Sequence, residues 1–169
     1  MMTPRRQRMG HVLKSRLRRL PNSQKGRELS LESIPENVSA EFLVEDPSMW
    51  DDQLRRTNLE RRRYGRIPFQ FSSTLQKLAQ KQATAMAQME RVFHSVLTVE
   101  ELKLNLSSNT VAENVQRGDD IASMHEETMA STETINRSNV LSPCFNEFGS
   151  GCTIGQDGKV YVCQLFRKS

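Results

Sequence analysis

The sequence predicts an α+β domain, on two observations. Apolar residues recur at helical spacing in three capped segments between Asp46 and Ser131, and the last quarter of the chain switches to short β-type runs around a Gly-Gln-Asp-Gly turn. Helix, helix, polar loop, helix and C-terminal hairpin is an order shared by several α+β folds.

The elements follow from their local chemistry. Asp46 is placed to cap a first helix with Pro47 at its first position, where a missing N–H costs nothing. That helix runs through Trp50, Leu54 and Leu59 to Tyr64, where Gly65 supplies a left-handed stop and Pro68 marks the end. A second helix follows Ser72-Ser73-Thr74, with Leu75, Leu78, Ala79, Ala83, Met86 and Met89 inside and Gln76, Lys77, Gln80 and Lys81 outside. Its methionines read as core filling rather than a ligand box. A third helix begins after Asp119-Asp120, turns Ile121, Met124, Thr128 and Met129 inward, and ends near Ser131. Phe148 to Ile154 and Lys159 to Phe166 read as strands. Asp157-Gly158 is a two-residue type I′ turn signal, which sets Cys152 opposite Cys163 at a hydrogen-bonded site too wide for a disulfide. Both thiols are therefore expected free and buried.

With 169 residues the chain fits one domain plus an extension, and a hydrophobic content of 36% is low enough that part of it is expected to stay unpacked. Nine of the 24 basic residues precede Glu28 with no acidic residue among them, while the other 15 face all 20 acidic ones. The expected organisation is a basic leader (1–27), an acidic linker (28–46) and a folded body (47–169). The leader has one amphipathic stretch, His11 to Leu20, and no apolar core of the kind a secretory signal needs. It fits a transit peptide, a nuclear signal or a disordered tail. No apolar run approaches the ~18 residues that cross a bilayer. The leader lacks the interleaved aromatics that stack on single-stranded bases, so no specific nucleic-acid partner is indicated. Arg55, Arg56, Arg61, Arg62, Arg63 and Arg66 form a second basic cluster around the first helix, read as a solvated face apart from Arg61.

Specific residues narrow the fold. Asn58, Arg61, Gly65, Pro68 and Phe69 make an NxxRxxxGxxP-apolar pattern, and the second helix runs on to Phe93-His94-Ser95. Ala112-Glu113-Asn114-Val115-x-x-Gly118 is a GENxxxG-like segment with alanine first. Arg137-Ser138-Asn139-Val140-Leu141, Gly149-Ser150-Gly151 and Tyr161-x-x-Gln164-x-Phe166 complete the series. Six fragments in this order resemble the CAP superfamily of cysteine-rich secretory, antigen 5 and pathogenesis-related proteins. The resemblance implies a three-layer α-β-α sandwich with a small mixed, largely antiparallel sheet.

It also implies a cleft in which two histidines and one or two glutamates can hold a divalent metal such as zinc. His94 and Glu113 match the first histidine and the glutamate, but the second histidine position is Asn136, and amides are poor zinc ligands. His125, on the third helix, is the one candidate to compensate. The bland alternative is that His94 and Glu113 hydrogen-bond each other and pin the loop containing Asn114. Ser95 adjoins His94 without a nucleophile-elbow pattern, Gly149-Ser150-Gly151 reads as a strand feature, and Cys163 reads as a core thiol, so catalysis is the less favoured expectation. The leading expectation, resting on the resemblance, is a non-enzymatic module that binds a lipid, a sterol or a protein. The alternatives are a metal-dependent hydrolase at His94 and Glu113, which needs a third ligand, or an intracellular interaction protein directed by its basic leader. The family suggests an extracellular location, and the sequons at Asn37, Asn105 and Asn136 would allow glycosylation there. The leader argues the other way.

Overall fold

The computed structural model describes residues 46–95 and 110–169. The leader, nearly all of the linker and the sequons at Asn37 and Asn105 lie outside the described residues. In chain order the elements are α1 (Pro47–Arg63), β1 (Gln70–Phe71), α2 (Ser73–Gln88), β2 (Val111–Gly118), α3 (Ile121–Ala130), α4 (Ile135–Leu141), β3 (Glu147–Ile154) and β4 (Val160–Arg167). The sheet runs β1-β3-β4-β2; β1 pairs parallel with β3 and the other pairs are antiparallel. It is an α-β-α sandwich. On one face α2 packs Leu75, Ala79, Ala83 and Met86 against Tyr161, Cys163 and Leu165. On the other, Ile121 and Met124 of α3 meet Cys152, Val160 and Val162, while Val140 of α4 joins Phe69, Phe145, Phe148 and Phe166. Central strand β4 is thus buried on both sides, which is why Tyr161, Leu165 and Phe166 are all core residues despite opposite parities.

The helix caps hold as read. Asp46 accepts from the Ser48 N–H, Ser72 from Leu75 and Asp120 from Ser123. Gly65 (φ +65°) ends α1 in a Schellman arrangement, donating to the Arg62 carbonyl while Arg66 donates to that of Arg61. The chain then folds back over α1, where Asn58 grips Phe69 twice, accepting its N–H at 2.7 Å and donating to its carbonyl at 3.1 Å. Arg61, 1% exposed, spans the turn and donates to the carbonyls of Ile67, Val140, Ser142 and Phe145, with its guanidinium 3.7 Å from the Phe69 ring centre. Burial pulls it down to about 10, so it stays a cation at neutral pH.

Four expectations are corrected. The hairpin loop is three residues, not two: Gly155 and Lys159 close it, and Gly158 (φ +70°) follows a turn closed by its N–H to the Gly155 carbonyl. That moves the register by one, so Cys152 faces Val162, Cys163 faces Gly151, and the two buried, free thiols point to opposite faces. Gln80 is buried and Met89 is 57% exposed. Because β1 is only two residues long and pairs with Glu147 and Phe148, the β1 side of β3 has no strand at Cys152 among the described residues; the Gln80 amide bonds both the N–H and the carbonyl of Cys152 and accepts from Trp50 Nε1. Helix α2 stops at Gln88, before Phe93-His94-Ser95, because Glu90 takes a left-handed conformation (φ +47°) and Arg91 donates back to Met86. Finally, Asn114 sits in a strand rather than a loop, and the chain forms a helix at 135–141 that periodicity did not predict.

Candidate functional site

Strand β2 is an edge of the sheet and presents its side chains alternately to two faces. Glu113 and Val115 turn toward α2; Asn114 and Gln116 turn toward α3 and α4. The two adjacent polar residues of the GEN-like segment therefore do separate jobs.

Glu113, with a side chain 4% exposed, receives three groups. His94 Nδ1 meets its Oε2 at 2.7 Å, the Ser95 N–H reaches the same oxygen at 3.2 Å, and the Cys163 thiol donates to Oε1 at 3.6 Å. The carboxylate anchors the segment following α2 to the edge strand. The His94 ring is 63% exposed, so one side of the pair is buried and the other reaches solvent. Burial, and then the neighbouring Glu113 carboxylate, raise the Cys163 thiol well above its ordinary value, which keeps it a neutral donor and removes it as a nucleophile. Burial likewise pushes Cys152 up to about 12.

On the opposite face Asn114 is the hub of a buried amide network. It accepts from Asn139 Nδ2 at 2.8 Å and donates to the Asn136 carbonyl at 3.0 Å and to Gln164 Oε1 at 3.1 Å; Gln164 in turn donates to Gln53. One set of side chains thereby ties β2 to α4, β4 and α1. Leaving any member unpaired in this setting costs ~1–3 kcal/mol.

Beside this network lies a cleft of ≈ 520 Å³ between the β2 edge, α3 and α4. Val92, Val115 and Met124 give it apolar wall, and Gln116, Thr128, Ser131, Thr134 and Asn136 line it with neutral polar groups. Gln116 is held by Thr128 Oγ1 at 2.7 Å. Arg117 and Glu127 complete the described lining, and His94 and Glu113 are not part of it.

His94 and Glu113 come together; His125 does not join them. Helix α3 packs on the far face of the sheet from Glu113, and the charged groups that bear on His125 are Glu60, Arg56, Asp52 and Glu126. Burial lowers its pKa, and its Nε2 is buried without a hydrogen-bond partner among the described residues. Asn136 contributes its carbonyl to Asn114 and lines the cleft. Among the described residues no group of three His, Cys, Asp or Glu side chains is placed to hold a metal ion. The donors at hand, one imidazole and a carboxylate already taking three contacts, do not fit zinc, which requires three or four protein ligands. Sequence reasoning missed Gln53 and most of the cleft lining, and had Gln164 only as part of a motif, without its place in the network. The signal for Gln164 was its position in a strand flanked on both sides by core residues.

A model of the cysteine-rich secretory protein family (CAP) matches residues 54–166. Among solved structures, an outer surface protein of Borrelia burgdorferi superposes with TM-score 0.66 at 14% identity, over 75% of this chain and 96% of that one. A cysteine-rich secretory protein of Staphylococcus aureus subsp. aureus Mu50 gives 0.61 at 22%, over 73% and 39%. An extracellular SCP-domain protein of Bacillus anthracis str. Ames gives 0.58 at 18%, over 72% and 41%. The chain spans about two fifths of the length of the latter two. At these identities the structures establish the fold. A search of curated proteins gave no significant match. The family match runs from α1 into β4, across the Asn58/Arg61 turn, the Glu113-Asn114 segment and the glycine-bearing strand: this chain belongs to the cysteine-rich secretory protein (CAP) family.

Proposed function

We propose that this chain is a non-catalytic binding module and that the cleft between β2, α3 and α4 takes a small amphiphile of the lipid or sterol class. The observation that carries the reading is the composition of the cleft: an apolar wall of Val92, Val115 and Met124 facing hydroxyls, amides and the two charged groups Arg117 and Glu127, within the ~300–1,000 Å³ common for small-ligand sites. Such a lining suits a molecule with an apolar body and a polar end. The Cys163 thiol, buried and held neutral beside Glu113, offers no nucleophile, which agrees with the same reading.

The test is a titration of the full chain with a fluorescent fatty acid and a fluorescent sterol. Saturable one-to-one binding of one probe is expected, with affinity falling about tenfold or more in Val92→Arg, which sets a charge in the cleft at a residue already 39% exposed. His94→Ala should bind nearly as well as the parent. Absence of saturable binding, or equal affinity in Val92→Arg, would count against the cleft.

A divalent-metal-dependent hydrolase is the second reading. The His94 Nδ1–Glu113 contact at 2.7 Å favours it, because a carboxylate on one ring nitrogen is a common way to orient the other toward a metal, but it requires the further ligands to come from outside the described residues.

A further inference from the structure

Two acid-free stretches of chain meet on one surface. Residues 61–89 and 134–146 contain no Asp or Glu. The α1–β1 turn from the first stretch lies against the α4–β3 loop from the second, and together Arg61, Gly65, Arg66, Ile67, Pro143 and Asn146 border a shallow groove of ≈ 260 Å³. Arg137 of α4 also comes over the Tyr64 ring, 5.1 Å from its centre. The preceding carboxylate, Glu60, is engaged by Arg63 at 2.6 Å. Arg62 and Arg66 are exposed beside it.

Within this basic field stand apolar side chains that the core does not use. Ile67 is 82% exposed, Phe71 55% and Tyr64 50%. An isolated exposed isoleucine is ordinary, but three large apolar groups among arginines in ten residues are not a solvated charged face. The turn that carries them is held firmly from beneath by Arg61 and Asn58, so its tip is a preformed protrusion.

We propose that this tip docks on an anionic lipid bilayer, with Ile67 and Tyr64 entering the headgroup–acyl boundary and Arg62, Arg66 and Arg137 facing lipid phosphates. Charge complementarity selects an anionic partner, and the apolar tip selects a bilayer over a bare polyanion, on which a side chain as exposed as Ile67 gains nothing. The inference is independent of what occupies the cleft.

Cys144 gives a local probe: it is exposed in the α4–β3 loop, whereas Cys152 and Cys163 are fully buried. The full chain, labelled at Cys144 with an environment-sensitive dye, would be mixed with vesicles of phosphatidylcholine alone, with vesicles containing about one third phosphatidylserine, and with polyphosphate. The expected result is co-sedimentation and a blue-shifted dye with the anionic vesicles only. In Arg66→Ser/Ile67→Ser, vesicle affinity should fall about tenfold or more and the shift should vanish, at an unchanged melting temperature. Co-sedimentation without a dye shift would place binding elsewhere, as on the basic leader, and overturn the proposal. An unchanged variant, or an equal response to polyphosphate, would overturn it too.

Discussion

Arg61→Met is expected to destabilise the domain by about 3 kcal/mol or more, read by urea unfolding. The guanidinium donates to four main-chain carbonyls drawn from the α1–β1 turn and from the α4–β3 segment, 6 to 84 residues away in sequence. Methionine fills much of the space and relieves the cost of burying a charge, but leaves those carbonyls without their donor. The lost bonds outweigh the relieved charge because four buried or half-buried carbonyls lose their donor at once. Arg61→Lys is expected to recover little, since a single ammonium cannot reproduce a planar fork aimed at several acceptors. A lysine variant within about 1 kcal/mol of the parent would show that the charge, not the fork, matters.

Gly151→Ala should be comparably damaging, at about 3 kcal/mol and roughly a 10 °C fall in melting temperature. A Cβ there would stand 2.3 Å from Gln80 Cα, Gln80 N and the Ala79 carbonyl carbon, all backbone atoms of α2. No rotamer change relieves such a contact. Helix α2 would have to lift off β3, and with it the Gln80 amide that bonds Cys152 at the unpaired strand margin. Gly158→Ala is the control: nothing lies within 4 Å of its Cβ, and only the left-handed backbone resists, at about 1 kcal/mol. Equal losses for the two variants would contradict the close-packing account.

These cases show which features of the molecule its sequence made legible. Helices α1, α2 and α3 could be placed because Asp46, Ser72 and Asp120 are side-chain caps that act locally, and β3 and β4 because both are β-rich runs bounded by turn residues. The failures share a physical cause, polar groups doing interior work. Helix α1 buries Gln53, Thr57 and Arg61 in a row at i, i+4 and i+8, and α2 buries Gln80 and Gln82. A pattern that sorts polar residues outward misplaces each of them, and Arg61 was set apart only by its family motif. Strand β2 was missed because Glu113 and Asn114 occupy its centre, and α4 because seven residues are too few to display a period. The hairpin register slipped because Asp-Gly serves both the two-residue turn and the three-residue loop with glycine at its end; Gly155 and Lys159, which close the longer one, carry no signature of their own.

The site was legible in its parts and not in its arrangement. His94 and Glu113 could be named together because their family motifs fix their places, and the two side chains meet at 2.7 Å. His125 was a third ligand only while the sheet between it and Glu113 was unseen. The cleft is assembled from the segment after α2, an edge strand and two helices that lie far apart in sequence, so no local pattern announced it.

The measurement that bears most directly on the central claim, that His94 and Glu113 form a structural latch beside a binding cleft rather than a metal centre, is calorimetric titration of the full chain with zinc, alongside His94→Ala. The account predicts no micromolar binding that depends on His94. Micromolar or tighter binding by the parent, lost in His94→Ala, would contradict it and show that a further ligand from outside the described residues completes a metal site.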